Sequence, residues 1–244
     1  MNDYIIVIPA RLQSTRLKEK LLIKLDGIEI LIRTYMQCLK VLSKDKIIIA
    51  TDSAKIAKVC NKYNAQYILT GKKCPTGTDR ISEVAKKIKK NFYINVQGDE
   101  PFLHPPDLRK FLKFATKNKN NVINGFAKIK DKSDYFNNSI PKIVFNKFDE
   151  LLYMSRSPLP GNKENKFYSS HKQICLYSFP RSELFKFSQQ GKKTKLESEE
   201  DLESIRFLEI GTKIKLVELS GRSFAIDTKK DLEKAKKFLK KTKF

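Results

Sequence analysis

Short apolar runs alternate with segments of helical periodicity through residues 5–96, and that alternation leaves few folds open. Ile5-Ile6-Val7-Ile8 ends at Pro9-Ala10, and a continuous apolar run bounded by Pro is the pattern of a buried strand. Ile30, Leu31, Thr34, Tyr35, Cys38 and Leu42 then recur at helical spacing, and Lys46-Ile47-Ile48-Ile49-Ala50-Thr51 forms the next apolar run. Asp52 or Ser53 is placed to cap a helix carrying Ile56, Ala57 and Cys60. Tyr67-Ile68-Leu69 reads as another strand, Ile81, Val84, Ala85 and Ile88 as another helix, and Phe92-Tyr93-Ile94-Asn95-Val96 as a further strand. This order predicts an α/β fold with a mostly parallel sheet and helices on both faces.

From about Asn121 the rhythm changes. Val122-Ile123-Asn124-Gly125-Phe126-Ala127, Lys142-Ile143-Val144-Phe145, Leu151-Leu152-Tyr153-Met154 and Gln173-Ile174-Cys175-Leu176-Tyr177 are strand-like runs without long helices between them. Antiparallel additions or an inserted subdomain produce such a pattern. The polar stretch from Gly161 to Ser170 reads as a mobile loop. Helical spacing returns with Leu202, Ile205 and Leu208, a strand is expected over Ile214 to Leu219, and Leu232, Ala235 and Leu239 mark a final amphipathic helix.

A chain of 244 residues suits one large α/β domain with a modest insertion. Cys38, Cys60, Cys74 and Cys175 show neither C-x-x-C pairing nor zinc spacing, so they are expected as reduced thiols in a cytoplasmic protein. The polar start Met1-Asn2-Asp3 runs into a strand rather than a signal peptide, and no apolar run reaches membrane-spanning length. The net charge of +23, from 50 Lys and Arg against 27 Asp and Glu, raises nucleic acid as a partner. Runs such as Lys86-Lys87-Ile88-Lys89-Lys90 and Lys236-Lys237-Phe238-Leu239-Lys240-Lys241 alternate with apolar residues at helical spacing, which favours solvated helix faces and no specific nucleic acid.

Neither G-x-G-x-x-G nor G-x-x-x-x-G-K-[ST] occurs, and His104 and His171 sit in no hydrolase motif. Chemistry must come from elsewhere. The loop after the first strand carries Arg11, Ser14, Arg16 and Lys20, and cations at the mouth of an open α/β sheet suit a polyphosphate. Asn95-Val96-Gln97-Gly98-Asp99-Glu100-Pro101 places two carboxylates at a strand end behind a Gly, a magnesium site or a plain Gly-Asp turn. Neighbouring side chains on extended backbone point to opposite faces, so only one of Asp99 and Glu100 is expected to reach a given ion. Pro75-Thr76-Gly77-Thr78-Asp79-Arg80 opens a helix whose free amides take an anion or a base edge, or are simply capped. Asp227 precedes the last helix, where Thr228 and Asp231 form a capping-box-like pair; Asp227 either belongs to that helix start or joins Asp99 on a metal.

Pro9-Ala10-Arg11 with Ser14-Thr15-Arg16-Leu17 and Lys20, Gly77-Thr78-Asp79-Arg80, Gln97-Gly98-Asp99-Glu100-Pro101, Ser155-Arg156-Ser157-Pro158-Leu159-Pro160 and Asp227-Thr228 occur together in this order. In that combination the chain resembles the 3-deoxy-manno-octulosonate cytidylyltransferase (CMP-Kdo synthetase) family, nearly end to end. The resemblance implies a nucleotide-diphospho-sugar-transferase-like, Rossmann-like domain over residues 1–244, with an antiparallel dimerisation and sugar-binding insertion over about 130–180. It implies CTP and Kdo, a keto-deoxy sugar acid, as substrates for surface polysaccharide or lipopolysaccharide. Arg11, Arg16 and Lys20 would hold the triphosphate, Asp99 would act with them, and Asp99 and Asp227 would bind Mg2+. Ser14, Gly77, Arg80 and Gln97 would line the nucleotide region. Gln97, Arg156, Gln173, Tyr177, Glu203 and Ser204 would meet the sugar, Arg156 through its planar fork. A homodimer is implied, with Leu151, Leu152 and Met154 available for its contact.

The chain departs from the family pattern in places. Where the family usually has Pro-Gly-Lys-Pro, this chain has Lys18-Glu19-Lys20-Leu21. Gln173-Ile174-Cys175-Leu176-Tyr177 replaces His-x-Gly-x-Tyr, and Leu202-Glu203-Ser204-Ile205-Arg206 replaces Leu-Glu-Gln-Leu-Arg. The altered sugar half leaves open another ulosonic acid, such as 8-amino-Kdo. The rival from another class is a basic nucleic-acid-binding protein, which predicts salt-sensitive binding to DNA or RNA.

Overall fold

Residues 3–14 and 16–241 are described by the structure, a computed structural model; Thr15 of the Ser14-Thr15-Arg16 motif lies outside them. β1 (Tyr4–Ala10) is buried from Ile5 onward, as its apolar run requires. A short pair, β2 (Lys24–Leu25) and β3 (Ile28–Glu29), turns the chain into α1 (Ile30–Leu39). β4 (Ile47–Thr51), α2 (Ala54–Lys62), β5 (Tyr67–Leu69), α3 (Gly77–Lys87) and β6 (Phe92–Val96) follow in strand–helix alternation. β4 and β6 flank β1 in parallel, and β5 joins β4 in parallel. Because side chains alternate across a strand, β1 feeds two cores. Ile6 and Ile8 pack in the cluster that takes in Leu31 and Cys38 of α1 and Cys60 of α2, whereas Ile5 and Val7 belong with Ile81 and Val84 of α3.

α4 (Pro105–Lys117) is absent from the sequence-based assignment, although Pro at its first turn and buried Leu108, Phe111, Leu112 and Ala115 at helical spacing mark it. β7 (Val122–Lys128), α5 (Lys132–Phe136), β8 (Lys142–Phe145), β9 (Leu151–Ser155) and β10 (His171–Pro180) come next. The chain closes with α6 (Arg181–Gln189), α7 (Lys195–Glu200), α8 (Ser204–Glu209), β11 (Ile214–Glu218) and α9 (Lys229–Lys241). Along the main sheet the order is β11-β7-β10-β6-β1-β4-β5. β10 runs antiparallel to both β6 and β7, while β7 and β11 pair in parallel.

The antiparallel region therefore has two parts. β8 and β9 pair at one side, and the long β10 reaches them at its start and enters the middle of the main sheet along its remainder. The register of β10 against β7 shifts between Ile174 and Tyr177, and Asn124 Nδ2 donates to both Ile174 O at 2.9 Å and Leu176 O at 3.0 Å across that bulge. Leu151 and Met154 are buried within the chain, because they point into the core under the sheet; of the three residues offered for a dimer contact only Leu152 faces outward. Residues 161–170 form a loop whose turn is closed by Asn162 Oδ1, which accepts from the backbone of Glu164 and Lys166. Lys86, Lys87, Lys236, Lys237, Lys240 and Lys241 are exposed on α3 and α9.

Candidate active site

From β1 the chain moves outward to β4 and β5, then returns to β6 on the other side of β1. A crevice opens at such a switch point, beyond the carboxyl ends of the strands. Arg11, Ser14, Arg16 and Lys20 line it from the loop after β1, Gly77 and Arg80 from the start of α3, and Gln97 and Asp99 from the end of β6. Arg156, Gln173, Tyr177, Glu203 and Asp227 also line it. Ser204 is the exception among the residues expected at the site: it is buried behind the wall, beside Gln173.

Lys20 is the centre of the charged half. Its Nζ donates to Asp99 Oδ2 at 2.5 Å and to Asp227 Oδ1 at 2.7 Å, and Arg16 Nη2 stands 3.4 Å from the same Asp227 oxygen. Burial pulls the Lys20 pKa down, but the two carboxylates outweigh it and the ammonium is held above its usual range. Burial likewise pushes Asp227 up, and Lys20 with Arg16 outweighs that, leaving it below the usual carboxylate range. Ile226 N donates to Asp99 O at 3.0 Å, which ties the two acidic segments together. The helix start is capped without the Asp227 side chain: Asp231 Oδ2 accepts from Thr228 N at 2.8 Å and from Asp227 N at 3.2 Å, and Thr228 Oγ1 accepts from Asp231 N at 3.2 Å. Asp227 is thus free to face Lys20.

The adjacent pair Asp99 and Glu100 divides between crevice and core, though not on extended backbone: Gly98 and Asp99 form a turn in which Glu100 N donates to Gln97 O at 3.3 Å. Asp99 meets Lys20 in the crevice, whereas Glu100 is buried, with one carboxyl oxygen lacking a hydrogen-bond partner. Burial, then repulsion from Asp99 and Asp227, pushes the Glu100 pKa up to about 8. Gly98 lets the segment approach β1 closely, since a Cβ there would stand 3.0 Å from Pro9 O.

At the α3 end of the crevice, Thr76 and Asp79 cap the helix reciprocally: Thr76 Oγ1 accepts from Asp79 N at 3.2 Å, and Asp79 Oδ2 accepts from Thr76 N at 3.1 Å. Arg80 is buried against Asp52, with 3.3 Å between Nη2 and Oδ2. Glu203 reaches across from the start of α8, its Oε2 accepting from Thr78 N at 3.0 Å and its Oε1 from Gln97 Nε2 at 3.1 Å. Burial raises its pKa, with the bond from the Thr78 amide opposing that rise. One Glu therefore joins α8 to both the α3 entry and the end of β6.

Arg156 uses its guanidinium on the protein. Nε donates to Glu200 O at 2.7 Å, Nη1 to Asn138 O at 3.1 Å and Nη2 to Asp201 O at 3.1 Å, which leaves one N–H on each terminal nitrogen. Gln173 Nε2 donates to Asn124 Oδ1 at 3.0 Å and lies 3.4 Å from Ser204 Oγ. Burial, then the nearby Cys175 and Glu203, holds the Tyr177 phenol well above its usual range.

Sequence reasoning missed several supports. Arg206 is fully buried, pairs with Glu197 at 2.6 Å and Asp79 at 3.0 Å, and lies 3.8 Å from the centre of the Phe187 ring, so it fixes α8 against the α3 entry. A charge embedded in the apolar spacing of Leu202, Ile205 and Phe207 was its signal. Lys193 and Asp201 also line the crevice, paired at 2.7 Å, and no motif announced them. The bend before Lys20 survives without Pro-Gly: Glu19 adopts the left-handed region at φ 48° and pairs with Lys55 at 2.6 Å.

Residues 5–214 match the family model described as "Cytidylyltransferase". The 3-deoxy-manno-octulosonate cytidylyltransferase of Christiangramia forsetii is 36% identical over 98% of this chain and 97% of its own length. That of Elusimicrobium minutum is also 36% identical, over 98% of this chain and 99% of its own. A solved structure of a CMP:2-keto-3-deoxy-manno-octonic acid synthetase complexed with CTP superposes with a TM-score of 0.89 at 29% identity, covering 99% of this chain and 100% of the other. With cations and carboxylates converging at the switch point of this same fold, the chain is a nucleotidyltransferase and belongs to the cytidylyltransferase family.

Proposed function

We propose that the chain transfers CMP from CTP to 3-deoxy-manno-octulosonate (Kdo), or a close ulosonic acid. The anomeric hydroxyl oxygen attacks the α-phosphorus, the bond to the β-phosphate oxygen breaks, and pyrophosphate leaves. The observation that carries this reading is Lys20 between Asp99 and Asp227, beside Arg16, in a crevice with a second polar wall. The relatives named for this reaction and the CTP-bound neighbour support it.

In this reading Arg11, Arg16 and Lys20 bind and orient the triphosphate, and their charge balances the negative charge that builds on the phosphates during transfer. Ser14, Gly77, Arg80 and Gln97 hold the nucleoside end. A Cβ at Gly77 would stand at ordinary contact distance from Pro9 Cγ, 3.4 Å, and Gln97 Nε2, 3.6 Å, on the crevice lining. Arg156 offers its two remaining N–H groups to the sugar carboxylate, with Gln97, Gln173, Tyr177 and Glu203 around the sugar and Ser204 supporting Gln173 from behind.

The carboxylates fit Mg2+. Two hard oxygen donors from separate segments already converge on one cation, the Lys20 ammonium, and Mg2+ takes one or two carboxylates with phosphate oxygens and water. Asp99 and Asp227 would hold the ion, which when bound supplies charge neutralisation and orientation of the phosphates. We further propose a homodimer through the β8–β9 region, where Leu152 and Phe148 are exposed, and a cytoplasmic step of surface polysaccharide synthesis. The free cysteines favour a reducing compartment, and no described helix is long and apolar enough to cross a membrane.

The test is pyrophosphate release from CTP with a panel of ulosonic acids, with the CMP-sugar product identified by mass spectrometry. Release with Kdo or a close relative is expected. No product with any ulosonic acid, together with tight binding to duplex DNA or RNA at physiological salt, would favour the nucleic-acid rival instead.

A further inference from the structure

We propose that Gln173 sets acceptor specificity by presenting only a hydrogen-bond acceptor, its amide oxygen, to the sugar subsite, with its polarity fixed from behind by Asn124. The substrate must then place a donor there, a hydroxyl or an ammonium group. This rests on the sugar-acid reading above and refines it.

Asn124 is completely buried, and its Nδ2 donates to Ile174 O at 2.9 Å and Leu176 O at 3.0 Å. Backbone carbonyls only accept, so this amide cannot be turned round without setting oxygen against two oxygens. Its Oδ1 is thereby aimed at Gln173 and requires a donor. Gln173 Nε2 is that donor, at 3.0 Å, and lies 3.4 Å from Ser204 Oγ and 3.8 Å from Met154 Sδ. Reversing the Gln173 amide would face its oxygen to Asn124 Oδ1 and to the Met154 sulfur, so its polarity is locked as well. No described residue donates to Gln173 Oε1, and Gln173 lines the crevice. What the wall offers there is a carbonyl oxygen.

The β10 bulge produces this arrangement. The register shift between Ile174 and Tyr177 brings the Ile174 and Leu176 carbonyls to a single Asn124 nitrogen. A His at this position, as in the related pattern, changes charge near neutral pH and offers a donor as readily as an acceptor. A locked Gln does neither. Sites built to bond one substrate group reject analogues lacking it by orders of magnitude.

The experiment uses the full chain, CTP, and sugar acids in which each hydroxyl in turn is replaced by hydrogen or by fluorine, which cannot donate. Pyrophosphate release gives kcat/KM for the wild type and for Gln173→Met, and calorimetry gives CTP affinity in parallel. At one sugar position the wild type should lose about tenfold to a hundredfold with both replacements, the range of a lost buried hydrogen bond. In Gln173→Met that loss should shrink to under about threefold, with CTP affinity preserved. A fluoro analogue that keeps the parent's efficiency where the deoxy analogue fails would overturn the proposal, as would undiminished losses in Gln173→Met. Should Gln173→Met fail to bind CTP, the deoxy and fluoro pair on the wild type decides alone. A wild type that binds CTP but turns over no sugar acid would remove the underlying reading, and this proposal with it.

Discussion

Lys20 Nζ lies 2.5 Å from Asp99 Oδ2, and the same ammonium stands 2.7 Å from Asp227 Oδ1. On the proposed reading a metal cation takes the place of this ammonium between the two carboxylates, so that without nucleotide the two would compete. Lys20→Met should therefore bind Mn2+ in the absence of CTP about tenfold more tightly than wild type, the equivalent of one charge-assisted contact removed. Electron paramagnetic resonance of free Mn2+ measures this directly. Unchanged or weaker Mn2+ binding would show that the two acids do not form an ion site.

Arg16→Ala and Lys20→Ala should each weaken productive CTP binding by about tenfold to a hundredfold, because on the proposed reading each removes a charge-assisted contact at the phosphates. Lys236→Ala on α9 should change it by less than about twofold, since an exposed helix charge is screened. Calorimetric titration with CTP distinguishes the two classes. Equal effects would indicate diffuse attraction to a basic surface.

Much of this arrangement was legible in the sequence, for reasons that also explain what was not. Ile5–Ile8, Ile47–Ala50 and Phe92–Val96 are buried on both faces, so their apolar character is continuous and their ends are sharp. Those ends deliver Arg11, Gln97 and Asp99 to one crevice once the strands pair. β10 carries no mark of its place between β6 and β7, because strand order follows from pairing between residues far apart in sequence. Nor could residue type reveal that the Arg156 guanidinium is bonded to three backbone carbonyls, or that Asn124 directs the Gln173 amide.

Glu19 sits at φ 48°, a left-handed conformation that costs an L-residue roughly 1 to 2 kcal/mol relative to Gly. Its pair with Lys55 is solvent-exposed and offsets little of that. Glu19→Gly should stabilise the fold by about 1 kcal/mol, observed as a higher urea midpoint with an unchanged m-value. A lower midpoint would mean that the Lys55 contact outweighs the backbone strain.

His171 packs edge-on against Phe126 and Phe145, and burial lowers its pKa below 6.5, with Glu218 opposing that shift and Lys128 adding to it. As pH falls through about 6.5 the unfolded chain takes up this proton before the folded one does, so stability falls with pH in that window. His171→Phe should remove this part of the slope. Urea denaturation of both proteins from about pH 8 to about pH 5 reads the difference, and parallel curves would contradict the assignment.

The most direct test is turnover of Asp99→Asn and Asp227→Asn, measured as pyrophosphate release from CTP with saturating sugar acid and Mg2+. Each variant should fold, by circular dichroism and thermal melting, and lose at least about a hundredfold in kcat, because each removes a charge at the point where the phosphates are held. If both acids serve the same ion, as proposed, the double variant should lose little more than the worse single one. Near-wild-type kcat in either folded single variant would contradict a shared catalytic ion site at Asp99 and Asp227.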